Sequence, residues 1–351
     1  MLPRQHSRSE DKRGRGGRGR ETGKLLLGGF LGASIVAAYC LLALLLNVLW
    51  WIVQTAGAHS AIPAFQARQV DALRTSLNWL AFPVIIGSTA IIIVVLSLYS
   101  RNMRTTSLRH DAIEPCVVVA LTAFNDESSV SRSVRDFGAQ RGVIEVIVVD
   151  NNSCDQTAAR AASAGARVVR ERMQGYGFAC ARGFREALLN PHANVVVLAE
   201  GDETYRGYDL PKLLAYLVNA DMVVGNRITR ELVDPRSQMD WFLVWGNYFL
   251  AKLIQLKHWN FRFGGRVRLA DVGCTLRAIR RDALQKIVDE LRVGGMHFSP
   301  HMLMVALHAG LKVIEIPVSF HPRTGLSKGA GGSRWRAVGI GLKMLWHVLT
   351  F

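Results

Sequence analysis

Asn194–Leu210 reads NVVVLAEGDETYRGYDL. An apolar run of strand character stops at Glu200, and Asp202 and Glu203 follow within three positions. Carboxylates packed this closely repel one another unless water, a cation or a basic partner compensates them. The run has the length and β-branched content of a buried strand, so the acids stand at a strand end.

The pattern repeats along the chain. CVVVAL (Cys116–Leu121) is a second buried strand, broken by TAFNDE, and a helix is expected from Ser128 to about Gln140. IEVIVVD ends a third strand at Asp150, and NNSCDQT turns into a helix with Asp155 as its N-cap. A short strand ARVVR (Ala166–Arg170) follows, and the glycines of GYGFACARG open a helix from about Tyr176 to Leu189. YDLPKLLAYLV and ADMVVG supply one more helix and strand. Strand–helix alternation predicts an α/β domain on a mainly parallel sheet with helices on both faces. Ligands of such sheets bind beyond the carboxyl ends of the strands. Asn125, Asp126, Asp150, Glu200 and Asp202 all fall there, on one rim. A rim of acids calls for a divalent cation; Mg²⁺ shares itself between one or two carboxylates and substrate phosphates. Gly201, between the two acids, permits close approach of backbone or ligand.

The 351 residues carry a formal charge of +16, which suits an anionic partner. Half the residues are hydrophobic, and the mean hydropathy is +0.16. The five cysteines are scattered, with no CxxC pair, which fits free thiols in a reducing compartment and argues against zinc.

The hydrophobic excess lies near the N-terminus. Residues 25–53 contain no charge, nor do residues 75–100. Each run is long enough to cross a bilayer, and Trp50, Trp51, Trp79 and Tyr99 sit near their ends, where amphipathic rings favour the interface. Two transmembrane helices are therefore expected, at about 25–53 and 77–100, as an uncleaved anchor. Residues 1–24 read as a disordered basic tail, RGRGGRGR included; an anionic-lipid contact is expected of it and no nucleic-acid partner. Lys and Arg crowd the tail and follow the second run at Arg101, Arg104 and Arg109, while the intervening loop holds only Arg68 and Arg74. Positive-inside then places the N-terminus and everything after Arg101 in the cytoplasm. Residues 101–114 form a linker.

Taken in order, VVVALTAFNDE, VIVVDNNSCDQT, GYGFACARG, VVVLAEGDETY and DVGCTLRAIRRDAL resemble the inverting family 2 glycosyltransferases with a GT-A fold. EIPVSFHPRTGLSK adds a likeness to their polyprenyl-phosphate branch, which includes dolichyl-phosphate mannose and glucose synthases. The resemblance covers residues 115–328 and implies a nucleotide-sugar donor (UDP- or GDP-linked), Mg²⁺ or Mn²⁺, and a polyprenyl phosphate acceptor.

The same resemblance implies the site. Ala123, Asn125 and Glu127 would edge the nucleotide, Asp150 would bond the base or ribose, and Arg182 would lie near the diphosphate. Glu200 and Asp202 fall on the family's Asp-x-Asp metal motif. The first acid here is Glu, which leaves Asp202 the better ligand. Arg227 and Arg236 fit basic positions for the lipid phosphate, Asp271 and Arg277 positions near the sugar and phosphates. Arg323, Ser327 and Lys328 would close over the diphosphate. In GGMHFSPHML, where relatives tend to carry acids, this chain has His297 and His301: either acceptor tuning or partly buried polar residues. RWRAVGIGLKMLWHVLTF, within 329–351, reads as an amphipathic interfacial helix.

The reaction implied is attack of a lipid phosphate oxygen on the sugar's C1 with inversion. A phosphate monoester is already anionic and needs no strong base, and no Asp–His pair stands out. Transfer to a lipid or glycan hydroxyl is the alternative and needs one. A processive synthase would carry Gln-x-x-Arg-Trp, where this chain has GGSRW. A third reading is a nucleotide-sugar-binding membrane protein without turnover.

Overall fold

The computed structural model describes residues 114–258, 267–325 and 334–351, together with His110 and scattered helical positions between 32 and 90. The chain divides into two compact units, residues 1–104 with 259–264, and residues 105–258 with 265–351. In the first, positions 45–53 are helical, and Leu45, Leu49 and Trp51 are more than half exposed. Most of both expected transmembrane segments, the basic tail and most of the linker lie outside the described residues. Among the described residues no helix is long and apolar enough to cross a membrane.

The second unit runs β1 (Val117–Ala123), α1 (Val130–Gly138), β2 (Val143–Asp150), α2 (Thr157–Ser163), β3 (Arg167–Arg170), α3 (Tyr176–Leu189), β4 (Val195–Glu200) and α4 (Leu210–Leu217). It continues through β5 (Met222–Asn226), α5 (Trp241–Lys257), β6 (Arg277–Arg280), α6 (Arg281–Ile287), α7 (Phe298–His308), β7 (Val313–Pro317) and α8 (Arg334–Thr350). Every residue of β1 is buried. Its odd-numbered side chains join Val134, Phe137, Leu213 and Leu217 in one core, while Ala120 faces Gly183 of α3 on the other side. Burial on both faces explains why β1 reads as an unbroken apolar run, not an alternating one.

The sheet order is β3-β2-β1-β4-β6-β5-β7. β1 pairs in parallel with β2 and β4, β2 with β3, and β5 with β7. β6 runs antiparallel to both neighbours, so the sheet is mixed. This α/β core is GT-A-like, as the resemblance implies, and the mainly parallel expectation holds except at β6. Register sets Thr122 beside Glu200 and Ala123 beside Asp150, which brings the strand-end residues to one rim.

Two further helices shape that rim. α5 begins at Asp240, whose carboxylate accepts the Leu243 N–H at 2.9 Å as an N-cap. It buries Leu250, Ala251, Leu253 and Ile254 and exposes Trp241, Trp245 and Phe249. α8 packs against α5 and α7 within the same unit, burying Ala337 and Val348 and exposing Trp335, Leu342 and Trp346. Its last turn is held by Lys257, whose Nζ donates to the Val348 carbonyl at 2.8 Å. The outer face of α8 thus mixes Trp335, Leu342 and Trp346 with the exposed Arg336 and Lys343.

Candidate functional site

Two cavities meet above the rim. The first, about 220 Å³, lies at the ends of β1 and β4 and is lined by Thr122, Ala123, Asp126, Asn151 and Gln174, among others. The second, about 360 Å³, runs between α5 and α8 past Phe242, Leu250, Val338 and Leu345 to Arg227 and Thr275. Tyr176, Glu200, Met296 and Arg323 line both. Those four residues form the junction.

Glu200 ends β4 and is fixed from two sides. Thr275 Oγ1 donates to its Oε1 at 2.6 Å, and Arg323 Nη2 donates to its Oε2 at 2.8 Å. With the Thr275 proton committed to the carboxylate, the Tyr176 hydroxyl, 2.6 Å away, donates in turn to Thr275 Oγ1. Burial, and then the Asp202 charge, push the Glu200 carboxyl up to about 7, against the pull of Arg323. Asp202 is buried. Its Oδ1 accepts from the Thr204 amide at 3.0 Å and the Thr204 hydroxyl at 2.6 Å. Its Oδ2 lies 2.6 Å from the same Arg323 nitrogen, an ion pair, yet has no aligned hydrogen-bond donor.

The third acid of the opening stretch has a different task. Glu203 sits at φ 67°, and its carboxylate accepts from Arg132 Nε at 2.8 Å, from Arg132 Nη2 and from Thr324 Oγ1 at 2.7 Å. The Arg132 hydrogen bonds hold it down at about 2, against burial. Glu203 thus ties α1 to the segment that carries Arg323.

Among the described residues no cluster of three or more His, Cys, Asp or Glu side chains could hold a metal ion. A hard divalent cation that completes its shell with diphosphate oxygens and water needs fewer protein ligands. Two carboxylates on one cation, one of them with a buried oxygen that lacks a hydrogen-bond donor, fit such an ion. Asp202 is the ligand this geometry favours, with Glu200 beside it.

The other expected site residues separate. Ala123 lines the smaller cavity; Gly201 is buried beneath the acids, its N–H on the Thr122 carbonyl at 2.9 Å. Asn125 and Glu127 stitch the β1 loop to the β2–α2 turn: Asn125 Oδ1 accepts the Cys154 N–H and Glu127 Oε2 the Gln156 N–H. Asp150 accepts the Ser153 N–H at 3.2 Å, and Asn151, its neighbour, reaches the cavity instead. Arg227 lines the larger cavity but is already paired. Its Nε and Nη2 donate to Asp271 at 2.7 and 2.8 Å, and its guanidinium lies 5.4 Å over the Phe320 ring. Burial alone would raise the Asp271 carboxyl; the Arg227 charge and hydrogen bonds outweigh it and hold it low.

Like Asn125, Glu127, Asp150, Gly201 and Asp271, the expected residues Arg277, Arg182 and Arg236 line neither cavity. Arg277 is 1% exposed and donates to the Cys274 and Ser299 carbonyls, tethering β6 to α7. Arg182 pairs with Glu186 at 2.9 Å along its own helix. Arg236 pairs with Asp234 at 2.9 Å, its side chain 82% exposed. The glycines of GYGF also have a packing purpose. The Gly177 N–H donates to the Gly294 carbonyl at 2.8 Å, and a Cβ on Gly177 would stand 2.0 Å from the Val293 oxygen. The start of α3 is therefore covered by the 293–294 loop and does not point bare N–H groups at a diphosphate. His301 joins the α7–α8 contact, with Nδ1 3.0 Å from His347 Nε2 and Nε2–H on the Glu290 carbonyl at 2.9 Å; the His297 ring centroid is 5.1 Å from that of His347. Ser327 and Lys328 lie outside the described residues. Tyr176, Thr275 and Met296 are not among the expected residues, although they lie within GYGF, DVGCTLR and GGM.

Comparison with known proteins fits this arrangement. The family model for glycosyl transferase family 2 matches residues 118–288. An uncharacterized glycosyltransferase of Mycobacterium tuberculosis is 32% identical over 237 residues, which cover 67% of this chain and 98% of the relative. A dolichyl-phosphate hexose transferase of Haloferax volcanii is 30% identical over 215 residues, 60% of this chain and 86% of the relative. Among solved structures, glucosyl-3-phosphoglycerate synthase from Mycobacterium tuberculosis, crystallised with Mn²⁺, UDP and glucosyl-3-phosphoglycerate, is 17% identical with a TM-score of 0.49, covering 68% of this chain and 80% of that one. With an α/β rim built from its motifs and a relative matched almost end to end, the chain is a member of glycosyl transferase family 2.

Proposed function

We propose that this protein transfers a sugar from a nucleotide sugar to a polyprenyl phosphate, with inversion, at a membrane surface. The observation that carries the reading is the junction: an apolar cavity between two Trp-bearing helices ends at Arg227, Glu200 and Arg323, and the last two also bound the strand-end cavity. An apolar tail with an anionic head fits the larger cavity, and a nucleotide diphosphate fits the smaller. Their reacting ends then meet at one place, and holding them there removes much of the entropic barrier.

The acceptor phosphate needs no strong base, so the chain's own residues have three tasks. Asn151 and Gln174 line the donor pocket, where they can contact the nucleotide. Arg227 and Arg323 face the phosphates as charge develops on the leaving diphosphate. α5 and α8 exclude water from the path between them. A divalent cation bound at Asp202 and Glu200 would neutralise diphosphate charge. Trp241, Trp245, Trp335 and Trp346 on the outer faces favour a bilayer interface, where a polyprenyl phosphate resides. The two uncharged N-terminal runs would hold the domain at that surface, on the cytoplasmic side.

A hydroxyl acceptor is the second reading, because Glu200 is a carboxylate lining both cavities. One experiment separates the two: purified full-length protein in detergent receives Mn²⁺, a polyprenyl phosphate and a panel of labelled UDP- and GDP-sugars. Mild-acid-labile label in the organic phase, abolished by chelation, is expected. Donor hydrolysis without lipid labelling would overturn the phosphate acceptor and leave the family assignment standing.

A further inference from the structure

Arg323 stands where a cation belongs. Its Nη2 alone touches both acids of the strand end, Glu200 Oε2 at 2.8 Å and Asp202 Oδ2 at 2.6 Å. The backbone beneath it is pinned to the acidic turn. The His321 N–H donates to the Thr204 carbonyl at 3.0 Å and the Thr324 N–H to the Asp202 carbonyl at 3.2 Å. The side chain can therefore change partner while its Cα stays in place. It also lines both cavities.

Charge at the junction makes that change of partner necessary. Arg227 is committed to Asp271 and Arg323 to two carboxylates, so two guanidiniums face three acids. Among the described residues that line the two cavities, no arginine or lysine is left over for a diphosphate and an anionic acceptor. A divalent cation held by Asp202 would, moreover, have to compete with the guanidinium that already sits at its Oδ2.

We propose that Arg323 is the resident counter-ion of the acidic pair and a positioning residue that is handed over. Without a cation it bridges Glu200 and Asp202. When a divalent cation and a nucleoside diphosphate enter together, it turns from the acids to the phosphate oxygens at the junction. The nucleotide-free protein then holds the cation weakly, because the cation must displace a built-in rival. The diphosphate strengthens cation binding beyond its own ligation by giving the displaced guanidinium a new partner. This rests on the reading that Glu200 and Asp202 hold the cation, and the experiment separates the two claims.

Mn²⁺ binding to the full-length protein in detergent, followed by the loss of free-Mn²⁺ electron spin resonance signal, is the measurement, with and without UDP or GDP. Arg323→Gln is expected to bind Mn²⁺ more tightly than wild type without nucleotide, by roughly 5–150-fold, the usual range of coupling between ligands. With Mn²⁺ present it is expected to bind the diphosphate less tightly than wild type, so that mutual enhancement of the two ligands shrinks. Arg323→Lys, which retains the charge but not the fork, is expected to fall between and guards against a folding defect in the first variant. Equal or weaker nucleotide-free Mn²⁺ binding in both variants would overturn the role of Arg323. Mn²⁺ binding untouched by Asp202→Asn in the Arg323→Gln background would overturn the cation reading of the acids themselves.

Discussion

The pair Arg227–Asp271 allows a stability change to be worked from geometry. The Asp271 side chain is fully buried and that of Arg227 is 13% exposed. The carboxylate accepts four hydrogen bonds: from the Arg227 N–H at 3.0 Å, from Arg227 Nε and Nη2 at 2.7 and 2.8 Å, and from the Gly273 N–H at 2.9 Å. Asp271→Asn keeps the shape but removes the charge, and turns an amide N–H₂ against a guanidinium that cannot deprotonate. Breaking a buried pair by removing one partner costs about 3–5 kcal/mol. At about 2–4 °C per kcal/mol for a domain of this size, the melting temperature is expected to fall by roughly 6–20 °C. Intrinsic-fluorescence melts of wild type and variant in the same detergent at one scan rate read this directly. Arg227→Met with Asp271→Leu removes both charges and is expected to restore most of the loss, because replacing a whole buried pair by apolar groups is often near neutral. Its transferase activity is expected to stay low, since Arg227 faces the larger cavity. A single-variant shift under about 2 °C, less than about 1 kcal/mol, would mean that the buried pair does not hold this part of the fold.

Three other outcomes are expected. Asp202→Asn is expected to lower turnover by roughly 10²–10³, the usual loss of one group that stabilises transition-state charge, with a small change in melting temperature because Arg323 retains Glu200; near-normal turnover would contradict the cation site. Glu203 has its carboxyl held at about 2 by Arg132, against an ordinary value of 4.5; a depressed carboxyl stabilises the fold above the unfolded value and loses that contribution as pH falls towards the folded one. Wild-type stability is therefore expected to fall between pH 4.5 and 2 more steeply than that of Glu203→Gln, and parallel profiles would count against it. Gly177→Ala places a methyl group 2.0 Å from the Val293 oxygen and is expected to destabilise by about 1–3 kcal/mol, as overpacking does; an unchanged melt would show that the 293–294 loop yields freely.

Much of the sheet is legible because its central strands β1 and β4 are buried along nearly their whole length and appear as apolar runs such as VVVLAE. The helix expected from about Tyr176 to Leu189 is present over those residues, opened by the glycines of GYGF. β6 and β7 are not legible as strands at all: RAIR is four residues with an arginine at each end, and VIEIP carries a glutamate and ends in proline. Nor was the contact that governs the acidic pair: Arg323 lies more than a hundred residues from Glu200, and only the folded rim joins them. Arg277 misled for a related reason, being an arginine in a motif whose charge is spent on two carbonyls inside the core. Arg182 was readable after all, with Glu186 four residues on, the spacing of an intrahelical ion pair. α5 escaped because its apolar residues surround the helix, and no single stripe announces which face meets the protein.

In the proposed reaction the cavity between α5 and α8 receives the lipid acceptor. Gly246 on α5 and Gly341 on α8 line it, and a Cβ at either would meet no atom within 4 Å. Gly341→Trp, with Gly246→Trp as its counterpart on the facing helix, fills the cavity from positions that tolerate a side chain and lie away from the strand-end cavity. The measurement is sugar transfer to polyprenyl phosphate alongside binding of the nucleoside diphosphate, for each variant against wild type. Transfer is expected to collapse while nucleotide binding stays at the wild-type level. Transfer to the lipid that survives both substitutions would contradict the claim and place the acceptor elsewhere.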